Sequence, residues 1–85
     1  MKQFSYTIKA AHGIHAIPAA LLAQEANKYD SFISIIKSSI VTDMARPVKV
    51  MAMSIKQGDT VTINIEVEDE DLAAMELEAF FRRWL

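Results

Sequence analysis

The chain has 85 residues, of which 52% are apolar and 24% charged, with a formal net charge of −2. This composition predicts one globular domain over residues 1–85. It offers no basic surface for nucleic acid, and without cysteine there are no disulfides, thiol nucleophiles or thiolate metal sites. No apolar run reaches the ~20 residues of a membrane span, and the alternating N-terminus does not resemble a signal peptide. We therefore expect a cytoplasmic protein without membrane insertion.

The first part of the chain predicts a strand, a loop and a helix. Phe4, Tyr6 and Ile8 alternate with polar residues, as in a half-buried strand. After a loop, residues 16–28 are rich in alanine and leucine, which predicts a helix with Pro18 tolerated in its first turn.

Residues 32–43 predict a β-hairpin that turns at Ser38 and Ser39. This turn signal is weaker than Asn-Gly, because serine disfavours positive φ. Ile33 and Ile35 are expected to face the core. The apolar residues expected together on the outward face, as a candidate self-association surface, are Phe32, Ile36 and Ile40.

The second half predicts a helix, a strand and a final helix. Pro47 lies near the start of the helix predicted over residues 46–55. Residues 60–67 alternate as a strand, and its inward residues are expected to be Val61, Ile63, Ile65 and Val67. The acidic run 68–71 and the basic pair 82–83 suit the two ends of a last helix, because they complement its dipole. The predicted apolar face of that helix consists of Leu72, Met75, Ala79, Phe80 and Trp84.

The predicted order is therefore β-α-β-β-α-β-α. An antiparallel sheet with helices on one face buries such elements well. We expect an α+β fold, an open-faced β-sandwich with a four-stranded antiparallel sheet and three helices on one face.

The segment GIHAIPA (residues 13–19) follows the first strand and contains one of only two histidines. It resembles Gly-Ile-His-Ala-Arg-Pro-Ala, the active-centre motif of HPr, the histidine-containing phosphocarrier family of the bacterial sugar phosphotransferase system. NKYDS (27–31) and VMAMSI (50–55) are similar to parts of that family's first and second helices. The resemblance covers nearly the whole chain.

The resemblance implies that His15 accepts a phosphoryl group from Enzyme I and passes it to sugar-specific acceptor domains. The protein would then be a carrier, not an enzyme, and would need no cofactor. The residues suit this chemistry: Pro18 and the alanines after it place His15 at a helix start, where unpaired N–H groups favour an anion. Neutral imidazole is a nucleophile near pH 7. Gly13 permits close backbone approach, and Ala16 leaves the face open.

Two positions depart from the family pattern. Ile17 replaces an arginine whose planar charged fork suits phosphoryl oxygens and acidic partner surfaces. Arg46 stands where many members carry a serine phosphorylated by regulatory kinases, which indicates loss of that regulation. We hypothesise that Arg46, with Lys49 on the next helical turn, supplies the missing positive charge.

The second helix also carries the predicted docking surface. By resemblance, its apolar patch contacts Enzyme I and the acceptor domains; we assign Val48 and Met51 to docking, and Val50 and Met53 to the core. His12 is expected to flank the active centre. Two histidines three residues apart, without a nearby carboxylate or cysteine, rarely bind metal, so no metal site is predicted.

Other functions remain open alternatives. Ile17 is compatible with a regulatory module that binds the same partners without efficient phosphotransfer. The retention of His15 within Gly-Ile-His-Ala favours a working carrier instead. An unrelated α+β binding domain would require the motif and the element order to coincide by chance. We expect a monomer, and the sequence does not identify the sugar.

Overall fold

The computed structural model of the protein describes residues 2–29, 32–66 and 70–85. Its elements are β1 (Lys2–Thr7), α1 (Ala16–Ala26), β2 (Phe32–Lys37), β3 (Ile40–Asp43), α2 (Pro47–Ala52), β4 (Thr60–Glu66) and α3 (Glu70–Trp84). The predicted order β-α-β-β-α-β-α is confirmed. The predicted strand end at Val67 and the acidic residues Glu68 and Asp69 lie outside the described residues.

The four strands form one antiparallel sheet in the order β1-β4-β2-β3. Alternation places one face of each strand against the helices. The buried side chains that β2 and β4 contribute to the core are Ile33, Ile35, Val61, Ile63 and Ile65. These inward positions agree with the prediction, and the architecture is the expected open-faced sandwich.

The β2–β3 turn forms at the two serines despite their weak propensity. Ser38 and Ser39 have φ of 51° and 69°, so both adopt the left-handed conformation that a tight hairpin turn of matching twist requires. The resulting register pairs Ile36 with Val41 and Lys37 with Ile40. Because directly paired residues share a face, the prediction that Ile36 and Ile40 lie together was wrong, and Val41 takes that position.

The predicted apolar face of α3 was also wrong, except for Phe80, which is partly buried against the core. The buried side chains of this helix are Ala73, Ala74, Leu77 and Phe81, whereas Leu72, Met75 and Trp84 are exposed large apolar residues. Phe81 packs its ring edge-to-face with the rings of Phe4 and Tyr6. The small alanines lie at buried positions beside Leu77 and Phe81. The prediction followed the largest side chains and therefore assigned the wrong face of the helix to the core.

Helix α2 is shorter than the predicted span of residues 46–55. It ends at Ala52, and Ser54 follows with φ of 54°. A left-handed residue just beyond the cap is a common way for a helix to stop. Val50 is the buried residue of this helix and fixes it to the core, and Ile55 is the next buried residue along the chain.

Candidate functional site

His15 is the N-cap residue of α1 and is exposed. Its backbone is extended, with φ −111° and ψ −162°, and the first bond of the helix runs from the Ala19 N–H to the His15 carbonyl oxygen at 2.9 Å. The N–H groups of Ala16 and Ile17 precede that bond, and Pro18 has no N–H. Two backbone donors at the positive end of the helix are therefore left without intrahelical partners beside the imidazole.

The first turn of α1, which lies within the described residues 2–29, carries no acidic side chain. The His15 side chain makes no capping hydrogen bond to this helix. An anion at this helix start therefore meets no carboxylate from the first turn. The imidazole nitrogens are not used in a capping hydrogen bond to α1. The arrangement can hold a nucleophilic ring next to an anion-binding helix end.

Gly13 fixes the loop before His15. It has φ of 61°, and a Cβ atom built there would collide with the Ile55 carbonyl oxygen and lie 2.8 Å from Lys56 Cα. The neighbouring Ile14 N–H donates to the same Ile55 oxygen at 3.1 Å. The loop thus packs directly on the backbone that follows α2, at a position only glycine can occupy without strain.

The start of the same loop makes hydrogen bonds to two other parts of the chain. The N–H groups of Lys9 and Ala10 donate to the Leu85 main-chain oxygen at 2.6 and 2.8 Å. Gly58 N–H donates to the Ile8 oxygen at 2.8 Å, and Gln57 Nε2 to the Lys9 oxygen at 3.1 Å. The segment leading to His15 is therefore anchored to the chain after α2 and to the residue after α3.

The turn between α2 and β4 is tied together by Asp59. Its Oδ2 lies 2.9 Å from Lys37 Nζ and accepts the Lys56 N–H at 2.9 Å. The hydrogen bond from Lys37, followed by the one from the Lys56 backbone, lowers the pKa of the Asp59 carboxyl below its ordinary value. Lys37 Nζ also donates to the Ser54 carbonyl oxygen at 2.9 Å. These contacts of Lys37 and Asp59 stabilise the segment after α2, against which Gly13 packs.

The motif residues around His15 differ in exposure. Ala16 and Ile17 are exposed, with 67% of Ile17 accessible, and Pro18 is buried. An exposed isoleucine stands where the family pattern has an arginine, so this position contributes apolar surface and no charge. The structure brings Gly13, Ala16 and Ile17 beside His15 through chain continuity alone.

His12 lies next to His15. Their ring centroids are 5.9 Å apart and their planes meet at 86°, an edge-to-face arrangement. No group of three or more His, Cys, Asp or Glu side chains suited to a metal comes together within residues 2–29, 32–66 and 70–85. The spacing of the histidines predicted a flanking position, but the ring contact itself required the fold of the loop.

Helix α2 packs against α1 and exposes several of its side chains. Val48 and Met51 are 77% and 41% exposed, and Lys49 is also exposed. Arg46 is the N-cap residue of α2, and its Nε lies 3.9 Å from Asp43 Oδ2 at a partly exposed site. Val48, Lys49 and Met51 form what we call the α2 patch. Its use in docking remains a prediction.

A groove of about 410 Å³ lies elsewhere, between α1 and α3. It is lined by Leu21, Glu25, Glu76, Ala79, Phe80, Arg83 and Trp84. Burial, together with the Glu76 and Glu25 carboxylates, raises the pKa of the nearby Tyr29 phenol to about 12. Its buried oxygen makes no well-formed hydrogen bond to the described residues. His15 does not line this groove.

The sequence and the fold agree with known proteins. A family described as "PTS HPr component phosphorylation site" matches residues 2–83. The chain belongs to the HPr family. It is 33% identical over 84 residues to "Phosphocarrier protein HPr" of Mycoplasma pneumoniae, covering 98% of this chain and 96% of that protein. The HPr of Mycoplasma capricolum is 41% identical over 73 residues, covering 86% and 82%.

A solved structure shows the same fold. The crystal structure of HPr-C-His from Thermoanaerobacter tengcongensis superimposes with a TM-score of 0.89 at 32% identity, covering 96% of this chain and 92% of that one. The expected family and architecture are thereby confirmed, and the family's role is that of a phosphocarrier in the phosphotransferase system. No helix within the described residues is long and apolar enough to cross a membrane.

Proposed function

We propose that this protein carries a phosphoryl group on His15, which it accepts from Enzyme I and passes to sugar-specific acceptor domains of the phosphotransferase system. The observation that carries the proposal is the exposed His15 at the N-cap of α1, next to the N–H groups of Ala16 and Ile17, which have no partner within the helix. Family membership supports it. The protein would act in the cytoplasm as a monomer.

The proposed chemistry needs one side chain. A lone pair on a neutral ring nitrogen of His15 attacks phosphorus, an N–P bond forms, and the donor leaves with the electron pair of its own bond to phosphorus. The onward step reverses this at the acceptor. The helix N-terminus stabilises the negative oxygens in both directions, which keeps the group transferable.

The α2 patch is the proposed docking surface for both partners. Val48 and Met51 offer exposed apolar area on α2, which packs on α1. The flexible side chain of methionine suits a surface that must fit more than one partner. Lys49 and Arg46 add positive charge, partly offset for Arg46 by Asp43. We propose that this charge compensates for Ile17; Arg46→Ala should slow phosphotransfer, and transfer at the parent rate would end that idea.

A second candidate function follows from Ile17. Without the charged fork at this position, the protein could bind Enzyme I or the acceptor domains and regulate them without efficient transfer. The loss of one charge-assisted contact costs roughly 1.5–3 kcal/mol, or about one to two powers of ten in rate if the contact strengthens in the transition state. Slow but measurable transfer is therefore still expected.

A relay assay separates the two functions. Enzyme I, phosphoenolpyruvate and a purified acceptor domain are mixed with or without this protein, and the phosphorylated acceptor is quantified. A carrier makes acceptor phosphorylation depend on the protein and on His15, with His15→Ala as the control. A regulatory module would leave acceptor phosphorylation at most slightly higher with the protein than without it.

A further inference from the structure

The contact between His12 and His15 points to a direct role for His12 at the phosphoryl group. The two rings lie edge to face with centroids 5.9 Å apart, and both residues are exposed. Ring nitrogens lie at the ring edge, so a phosphoryl group bonded to His15 extends outward from that edge by two further bonds. Its oxygens then come within the range that the His12 nitrogens can reach by side-chain rotation.

The start of α1 itself offers few donors for those oxygens. The helix provides the N–H groups of Ala16 and Ile17, and the Ile17 side chain provides none. Arg46 lies beside Asp43 at 3.9 Å, so part of its charge is already balanced on its own segment. Among the described residues, His12 is the side chain whose ring pairs with the His15 ring.

We propose that His12 donates an imidazole N–H to a phosphoryl oxygen carried on His15, in place of the arginine fork that Ile17 lacks. The inference rests on the proposed function. Imidazole carries an N–H donor in both protonation states, and the protonated ring adds a positive charge. A bond from that ring to a phosphoryl oxygen is then charge-assisted and is expected to strengthen as negative charge is redistributed during transfer.

Phosphoramidate, a small phosphoryl donor, tests this contact without a protein partner. The lone pair of His15 forms the N–P bond, the P–N bond of phosphoramidate breaks, and ammonia leaves with that electron pair. The rate of phosphorylation is followed by intact-mass spectrometry, and peptide fragmentation assigns the group to His15. The same variants are then measured with Enzyme I and phosphoenolpyruvate.

His12→Ala should slow phosphorylation of His15 by both donors, roughly tenfold to a hundredfold. His12→Arg, which restores a charged donor, should recover most of the rate. Lys9→Gln is the matched control, since it removes a cation from the same exposed loop and should leave the rate unchanged. Circular dichroism checks that each variant is folded.

Two results would overturn the proposal: a His12→Ala rate with phosphoramidate equal to that of the parent, or a loss seen only with Enzyme I. The second would assign His12 to docking. If Enzyme I phosphorylates neither parent nor variants, the proposed function fails, and the phosphoramidate series alone decides the role of His12.

Discussion

Gly13 packs against the carbonyl oxygen of Ile55, at a point where the chain leaves no space for a side chain. The same oxygen accepts the Ile14 N–H at 3.1 Å. The position of His15 at the head of α1 therefore depends on the segment after α2, which belongs to another part of the sequence.

Gly13→Ala should destabilise the protein and impair phosphotransfer together. A left-handed φ costs a non-glycine residue about 1–2 kcal/mol, and forcing extra volume into a packed site costs about 1–3 kcal/mol more. Gly58→Ala is the matched control, because its φ is also positive, at 91°, but a Cβ there meets nothing within 4 Å. Urea unfolding of both variants checks this. Equal losses of unfolding free energy would contradict the packing argument.

Ile17→Arg should accelerate phosphorylation of His15 by Enzyme I by roughly tenfold or more. The new guanidinium adds a charge-assisted contact to phosphoryl oxygens beside the two helix donors. The rate is measured by quenched-flow transfer from phosphorylated Enzyme I. Gln24→Arg adds the same charge at another exposed position of α1 and should have little effect. An unchanged rate for Ile17→Arg would mean that the proposed donors His12 and Arg46 already supply this contact in full.

Val48→Asp should weaken docking without unfolding the protein. Val48 is 77% exposed, so its replacement leaves the free energy of unfolding within about 0.5 kcal/mol of the parent. The KM for this protein as the substrate of Enzyme I should rise tenfold or more if the residue is a docking anchor, with kcat little changed. Val41→Asp, at a 60% exposed valine on β3, is the control. Equal KM values for the two variants would remove Val48 from the interface.

Asp59 should make stability depend on pH in the acid range. Its folded pKa is lowered by Lys37 and by the Lys56 backbone, so its contribution is present above the unfolded value of about 3.9 and is lost as pH falls through the folded pKa. The parent should therefore exceed Asp59→Asn in urea midpoint at pH 7, and the gap should close below about pH 4. A gap that stays constant down to pH 2 would show that the charge of Asp59 is not responsible.

Local pattern was sufficient for most of the fold. Alternation located the inward residues of β2 and β4, and the proline after His15 located the start of α1. The face of α3 was mispredicted because burial there is shared with alanines: Ala73 and Ala74 are buried while the larger Met75 is 66% exposed. Hydrophobic size alone does not reveal which stripe of a helix meets the sheet.

The site was less fully predictable than the fold. The motif identified His15 and the helix end, because both depend on neighbouring residues in the chain. The contact of Gly13 with Ile55 joins residues more than forty positions apart, and the Asp59 side chain pairs with Lys37 of β2, so no local pattern encodes either contact. The left-handed serines of the hairpin likewise follow from the pairing of β2 with β3, which overrides their intrinsic preference.

Intact-mass spectrometry after incubation with phosphoenolpyruvate and Enzyme I tests the central claim most directly. We predict an acid-labile gain of one phosphoryl mass, absent from His15→Ala and assigned to His15 by fragmentation. No gain under conditions that fully phosphorylate another HPr, or a gain that persists in His15→Ala, would contradict the account.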